Sequence, residues 1–267
     1  MDSSERRRLA EDNRIAWNQA AERHFVAQAG KFRKLFQQPG YSCLDEVITA
    51  KLQEIGLSGK AVAQLSCNNG RETLSLINLG AGSGVGFDIS DEFIAEAQVL
   101  AEIAKLPVSF VRTDVYDIPD SYDRQFDLVF ISIGTLGWLP DLQEFFGVAA
   151  RLLKDGGDLV IYEMHPFLEV LDPENKLEPL KVVNHYFNEK PLSDEAGMDY
   201  YGKQQYQSHV SHWFAQSFMK IFGGLADNGL VIRTLTEYSH DISEVFAHLE
   251  EQPLKLPLCY ILHAQRA

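Results

Sequence analysis

Apolar positions fall into two alternating patterns along the chain. From about Glu5 to Ala29, Leu9, Ile15, Ala16, Ala20, Phe25 and Val26 recur at helical spacing in a polar background, which predicts one or two helices outside the main core. Pro39 and Gly40 end that stretch, and a second helix is expected over Asp45–Ile55, closed by Gly56. Then short apolar runs alternate with helical segments. Strands are expected at Ala61–Cys67, Val85–Ile89, Val108–Val111, Phe126–Ile133 and Asp158–Glu163. Helices are expected at Glu72–Asn78, from Ser90 as N-cap to about Ala104, and at Leu142–Leu153.

Such alternation predicts an α/β fold with a doubly wound, mainly parallel sheet, whose ligand crevice lies at the carboxyl ends of the strands. The segment 166–208 breaks the rhythm with Pro173, Pro179 and Pro191 and a concentration of tyrosines. An inserted lid of small strands or an ordered loop is expected there. A helix over His212–Asn228 and strands at Gly229–Thr236 and Pro257–Gln265 complete the reading. The expected division is a helical cap at 1–58, a main domain at 59–165 and 209–267, and the insert between them.

Composition narrows the class. The 267 residues are 45% hydrophobic and 23% charged, ordinary values for a globular chain. No run approaches the roughly 18 apolar residues of a membrane span, and the charged amino end does not read as a signal peptide. Cys43, Cys67 and Cys259 are too few and too scattered for a disulfide framework or zinc knuckle, so a reducing cytoplasm is expected. The net charge of −14 argues against a nucleic-acid partner, since phosphate would be repelled.

Two glycine-bearing segments compete for a ligand. The run Gly80-Ala81-Gly82-Ser83-Gly84-Val85-Gly86 looks like a dinucleotide fingerprint, but it follows a helix and precedes a strand, the reverse of what that motif needs. The earlier stretch Ser66-Cys67-Asn68-Asn69-Gly70 leaves a buried strand and enters a helix, and asparagine and glycine tolerate the positive φ of a sharp bend. Asp88, at the end of the next strand, stands close to the spacing of about 20 residues at which an acid accepts from ribose hydroxyls. Thr113-Asp114-Val115 ends the third strand with chemistry suited to an adenine edge. Asp114 reads equally well as a helix cap.

These segments together resemble the class I S-adenosylmethionine-dependent methyltransferases, over most of the chain. Phe126-Asp127-Leu128-Val129-Phe130 is similar to the family's fourth strand, and Leu152-Leu153-Lys154-Asp155-Gly156-Gly157 to the turn before its fifth. Gly137-Trp138-Leu139-Pro140-Asp141-Leu142, Glu163-Met164-His165-Pro166 and Arg14-Ile15-Ala16-Trp17-Asn18 look like a small-molecule branch. The family usually carries an acid where Gln64 stands and glycines at Ser66 and Asn68.

The resemblance implies a seven-stranded sheet, S-adenosylmethionine as cofactor and S-adenosylhomocysteine as product. It implies donor contacts from Trp17, Ser66, Cys67, Asn68, Asn69, Gly70, Asp88, Ile89, Thr113, Asp114, Val115, Ile131, Ser132 and Ile133. His165 is the expected base, and Trp138, His165, Tyr186 and Tyr200 the expected acceptor contacts. Each has a plainer reading too: Trp17 as a packing anchor, His165 as a loop histidine bonding backbone, the tyrosines as lid packing. No metal is expected, although His209 and His212 are three apart. The partner expected is a small-molecule acceptor, with no nucleic acid and no membrane; a homodimer is left open. A non-catalytic module binding the same ligand and a nicotinamide oxidoreductase are the alternatives.

Overall fold

The computed structural model describes residues 1–28, 30–202 and 204–267. Helices α1 (Ser3–Gln28), α2 (Lys31–Leu35) and α3 (Glu46–Ile55) precede strand β1 (Ala61–Leu65). There follow α4 (Arg71–Asn78), β2 (Ser83–Asp88), α5 (Asp91–Ala104), β3 (Val108–Arg112), β4 (Phe126–Ile131), α6 (Leu142–Leu152) and β5 (Leu153–Met164). The chain ends with β6 (Leu192–Asp194), β7 (Ser211–Trp213), α7 (Phe218–Asp227), β8 (Leu230–Tyr238) and β9 (Cys259–Arg266).

Seven strands form one sheet in the order β3-β2-β1-β4-β5-β9-β8. The first five are parallel, and β9 runs antiparallel to both β5 and β8. The central strands are apolar on both faces because helices cover both, and successive side chains serve opposite cores. Ala63, Leu65, Val129 and Ile131 pack with α6 and α7. Val62, Leu128, Phe130 and Val160 pack with α3 and α4. Since β1 to β4 are parallel neighbours, Ser66, Asp88, Arg112 and Ser132 emerge along one edge.

Local chemistry sets the helix starts. Asp45 caps α3 by accepting from Val47 N and Ile48 N, and Ser90 caps α5 by accepting from Phe93 N. Helix α1 carries little apolar surface and is held by polar contacts. Asn18 donates to Asp91 Oδ2 (2.9 Å), Ser90 Oγ donates to Asn18 Oδ1 (2.7 Å), and Arg14 pairs with Asp91.

One expectation is met and two are corrected. The glycine run at 80–86 is the turn from α4 into β2, at the end of the sheet opposite the crevice. A Cβ on Gly82 would come within 2.8 Å of Gly59 O, so its glycines serve close backbone packing. The helix expected from His212 begins only at Phe218, capped by Ser217. Residues 211–213 are instead strand β7, paired with β6 in a separate two-stranded sheet. Strand β5 begins at Leu153 rather than Asp158, before the glycine pair.

Candidate functional site at the carboxyl edge of the sheet

Beyond β1 the backbone turns through Ser66 (φ 55°), Asn68 (φ 49°) and Gly70 (φ 75°) before α4 begins. Only Gly70 is glycine, and there the reason is also steric. A Cβ would lie 2.3 Å from Phe110 Cζ, the ring that packs under the turn. The bend is fixed by Gly70 N donating to Cys67 O (2.9 Å) and Cys67 N to Phe87 O (2.9 Å).

Asp88 knots this turn to its neighbours. Its Oδ2 accepts from Asn68 N at 2.7 Å and its Oδ1 from Ser90 N at 2.9 Å, while its own carbonyl accepts from Thr113 N at 2.8 Å. The side chain is half-buried. Burial raises its pKa, and the Ser90 and Asn68 amides oppose that rise. A carboxylate has about four lone-pair directions, so these two amides leave others able to accept from a ligand. Asp114 caps the next turn, its Oδ1 accepting from Tyr116 N at 3.1 Å.

Gln64, where the resembling family has an acid, is fully buried. It accepts from Thr73 Oγ1 (2.6 Å) and donates to Ser132 Oγ (3.0 Å), fixing Ser132 at the end of β4. The turn beyond Ser132 is held by Glu163, which the sequence places at the end of a strand without assigning it a role. Glu163 is 5% exposed and accepts from Gly134 N (2.7 Å), Leu136 N (3.2 Å) and Met164 N (2.8 Å). Burial pushes its pKa up to about 7. Its one sequence signal is a lone acid at the end of an apolar strand.

Glu163 makes a pH prediction. A carboxyl whose pKa is higher in the folded than in the unfolded chain binds more protons when folded. Its contribution to stability therefore falls as pH rises from about 4.5 toward about 7, and is level above. Denaturant unfolding at pH 5 and pH 8 should show the decline across that interval shrinking by roughly 2 kcal/mol in Glu163→Gln. An identical decline in variant and wild type would contradict it.

The lid closes over this edge. His24 Nε2 contacts Met198 O at 2.7 Å, and its ring lies 5.8 Å from Tyr200 and 5.0 Å from Tyr201. Arg71 lies over Phe32 and donates to Tyr201 OH at 2.8 Å. Trp17 lies 5.1 Å from Trp138 and 6.0 Å from Tyr200. Trp17, Trp138 and Tyr200 thus come together.

His165 and Tyr186 do not join them. His165 Nδ1 accepts from Phe167 N (3.1 Å), so Nε2 carries the proton and donates to Glu237 Oε1 (2.8 Å). Burial lowers its pKa. With both nitrogens engaged, His165 is built as a cap for the turn that follows, the plainer of the two readings. Tyr186 OH accepts from Phe218 N (3.2 Å), in the apolar cluster around Leu168 and Val170. His209 and His212 both meet the Asp12 carboxylate, pinning the insert to α1. A groove of about 830 Å³ borders Tyr116, Asp141, Glu144 and Arg151, on the flank beside α6; no residue of the 66–70 turn lines it.

Comparison with known proteins adds three findings. A family described as a methyltransferase domain matches residues 62–157. Among curated proteins, tRNA U34 carboxymethyltransferase of Campylobacter lari is 31% identical over 84 residues, which is 32% of this chain and 28% of that protein. The Campylobacter hominis protein of the same name is 31% identical over 108 residues, 40% of this chain and 37% of its own. The aligned stretches thus span well under half of these relatives.

Among solved structures, an S-adenosylmethionine-dependent methyltransferase from Mesorhizobium loti superposes with a TM-score of 0.55 at 18% identity, covering 81% of this chain and 96% of that one. Geranyl diphosphate C-methyltransferase from Streptomyces coelicolor superposes with 0.57 at 16% identity, covering 84% and 78%. At such identities these share the fold.

The tRNA-directed names overturn the expectation that no nucleic acid is involved. That expectation rested on the charge of the whole chain, an average that does not describe each face; Arg7 and Arg8, for example, are exposed on α1. Among the described residues no helix is long and apolar enough to cross a membrane. Residues 62–157 thus match a methyltransferase domain, and the seven-stranded sheet around them has the fold of solved S-adenosylmethionine-dependent methyltransferases.

Proposed function

We propose that the chain transfers a methyl group from S-adenosylmethionine to a small-molecule acceptor. One observation carries the donor site: the half-buried Asp88 carboxylate, tied to Asn68 N at 2.7 Å, joins a positive-φ turn and an acid from neighbouring parallel strands. The bound donor supplies an electrophilic methyl on a positively charged sulfur. The protein's task is then alignment and exclusion of water.

In this reading the open lone pairs of Asp88 accept from the ribose hydroxyls, and Ile89 packs beside the base. Asp114 and the Val115 amide take the adenine edge, with Thr113 bracing Asp88 from below. The backbone of Ser66, Cys67, Asn68, Asn69 and Gly70 holds the amino-acid portion. Ile131, Ser132 and Ile133, steadied by Gln64, wall the reacting centre, and Trp17 covers it. Gln64 is neutral and already bonded at both ends of its amide, so it acts by positioning Ser132. The 1–58 cap and the 166–208 insert close the site from above. His165 is left out of the chemistry because its ring nitrogens are occupied.

A small acceptor is supported by the lid, which folds over the strand ends through Arg71–Tyr201 and His24–Met198. A second reading, an RNA acceptor, is favoured by the tRNA-directed names of the relatives. Methyl-labelled donor incubated with a small-metabolite fraction and, separately, with unmodified tRNA distinguishes them. Label in a small product supports the proposal, and label in tRNA replaces it with the second reading. Binding of S-adenosylhomocysteine without turnover in either arm would make the chain a ligand-binding module, against the proposal.

A further inference from the structure

The three tryptophans of the chain form one edge-to-face row. Trp17 of α1 and Trp213 of β7 meet Trp138 edge-on, with ring centroids 5.1 and 5.0 Å away. Trp213 is pressed against Gly137, where a Cβ would lie 2.2 Å from its ring, and Phe214 N donates to Gly137 O at 2.7 Å. The row is therefore joined directly to the turn that follows β4 and Ser132.

At one end of the row is Glu169, in the short helical turn after β5 (Pro166–Val170). Both of its carboxylate oxygens accept from Trp213 Nε1, each at 3.0 Å. Among the described residues no lysine, arginine or histidine forms an ion pair with it. The charged group that acts on it is another acid, Glu163, and the two carboxylates repel. A half-buried carboxylate at the N–H edge of an indole, with no cationic partner among the described residues, is an environment suited to an organic ammonium group.

We propose that Trp138, Trp213 and Glu169 form the acceptor subsite and that the acceptor is a small molecule carrying a positively charged nitrogen. This deepens the methyltransferase reading and rests on it. The indole π-clouds face the charge-bearing carbons of such a ligand, and Glu169 supplies the counter-charge. Burial raises the Glu169 pKa to about 7, and a bound cation would draw it back down and hold the carboxyl charged.

Two of the chain's three indoles lie in this subsite, and saturating S-adenosylhomocysteine holds the donor-side contribution of Trp17 constant, so tryptophan emission reports on the subsite. Choline serves as a cationic probe and 3,3-dimethylbutanol as its uncharged isostere, both titrated with S-adenosylhomocysteine saturating. A saturable emission change with choline, at least tenfold weaker with the isostere and in Glu169→Gln, is expected. The Glu169→Gln affinity for S-adenosylhomocysteine should match wild type, which confirms that it folds. Should that variant not fold, Trp138→Phe provides the reading, with choline affinity several-fold lower.

Equal responses to choline and the isostere, or an undiminished response in both variants, would overturn the inference. So would displacement of choline by S-adenosylhomocysteine, which would make the row part of the donor site. Choline binding of the expected kind in a protein that does not bind S-adenosylhomocysteine would leave the cation site standing and remove the methyltransferase reading instead.

Discussion

Asp88→Ala is expected to weaken S-adenosylhomocysteine binding by roughly two orders of magnitude. Two hydroxyls donating to one carboxylate are worth about 1.5 kcal/mol each as charge-assisted bonds, and about 1.4 kcal/mol is a factor of ten. Alanine also releases the Asn68 and Ser90 amides that Asp88 holds at 2.7 and 2.9 Å, so the turn itself loosens. Asp88→Asn keeps an acceptor and one such tether, and should fall between the two. Isothermal titration measures all three proteins; an Asp88→Ala affinity within threefold of wild type would count against the donor site described.

Gly137→Ala should produce the largest loss of stability. The added methyl would lie 2.2 to 2.4 Å from three carbons of the Trp213 ring. That ring cannot swing aside cheaply. Its Nε1 is bound to Glu169, its edge meets Trp138, and its backbone pairs with Leu192 in the two-stranded sheet. Overpacking of this kind costs about 2–3 kcal/mol. For a chain of this size the midpoint should fall by roughly 5–10 °C. Thermal unfolding followed by tryptophan emission checks both the midpoint and the ring's displacement. Unchanged emission and midpoint would show that the insert does not grip this turn.

The central sheet was legible because each parallel strand writes itself locally, as a short run of branched apolar residues followed by a cap or turn. Ser90, Gly56 and Gly70 stand where sequence rules place them. Asp88 and Asp114 were legible for the same reason: both end a strand, and parallel order brings strand ends together.

What escaped the reading depends on contacts between distant segments. His212 and Trp213 read as the start of the helix that runs on to Asn228, but they are the end of strand β7, Ser211–Trp213. Its partner Leu192–Asp194 lies some distance back along the chain, and that pairing decides its conformation. Glu163 and Glu169 look like ordinary acids until burial and the amides or indole around them give them weight. His165 drew attention by its position after a strand. Its role was decided by Phe167 N and by Glu237, on a strand far along the chain. The glycines at 80–86 had the composition of a phosphate cradle but occur in the wrong order of elements, and the fold puts them at the far end of the sheet.

The most direct measurement is a crystal structure with S-adenosylhomocysteine bound. The ribose hydroxyls should lie within hydrogen-bond distance of the Asp88 carboxylate, the adenine beside Asp114, and the sulfur toward Ser132. A nucleoside bound elsewhere, with Tyr200, Tyr201 and Arg71 still packed across the turn at 66–70, would contradict the account.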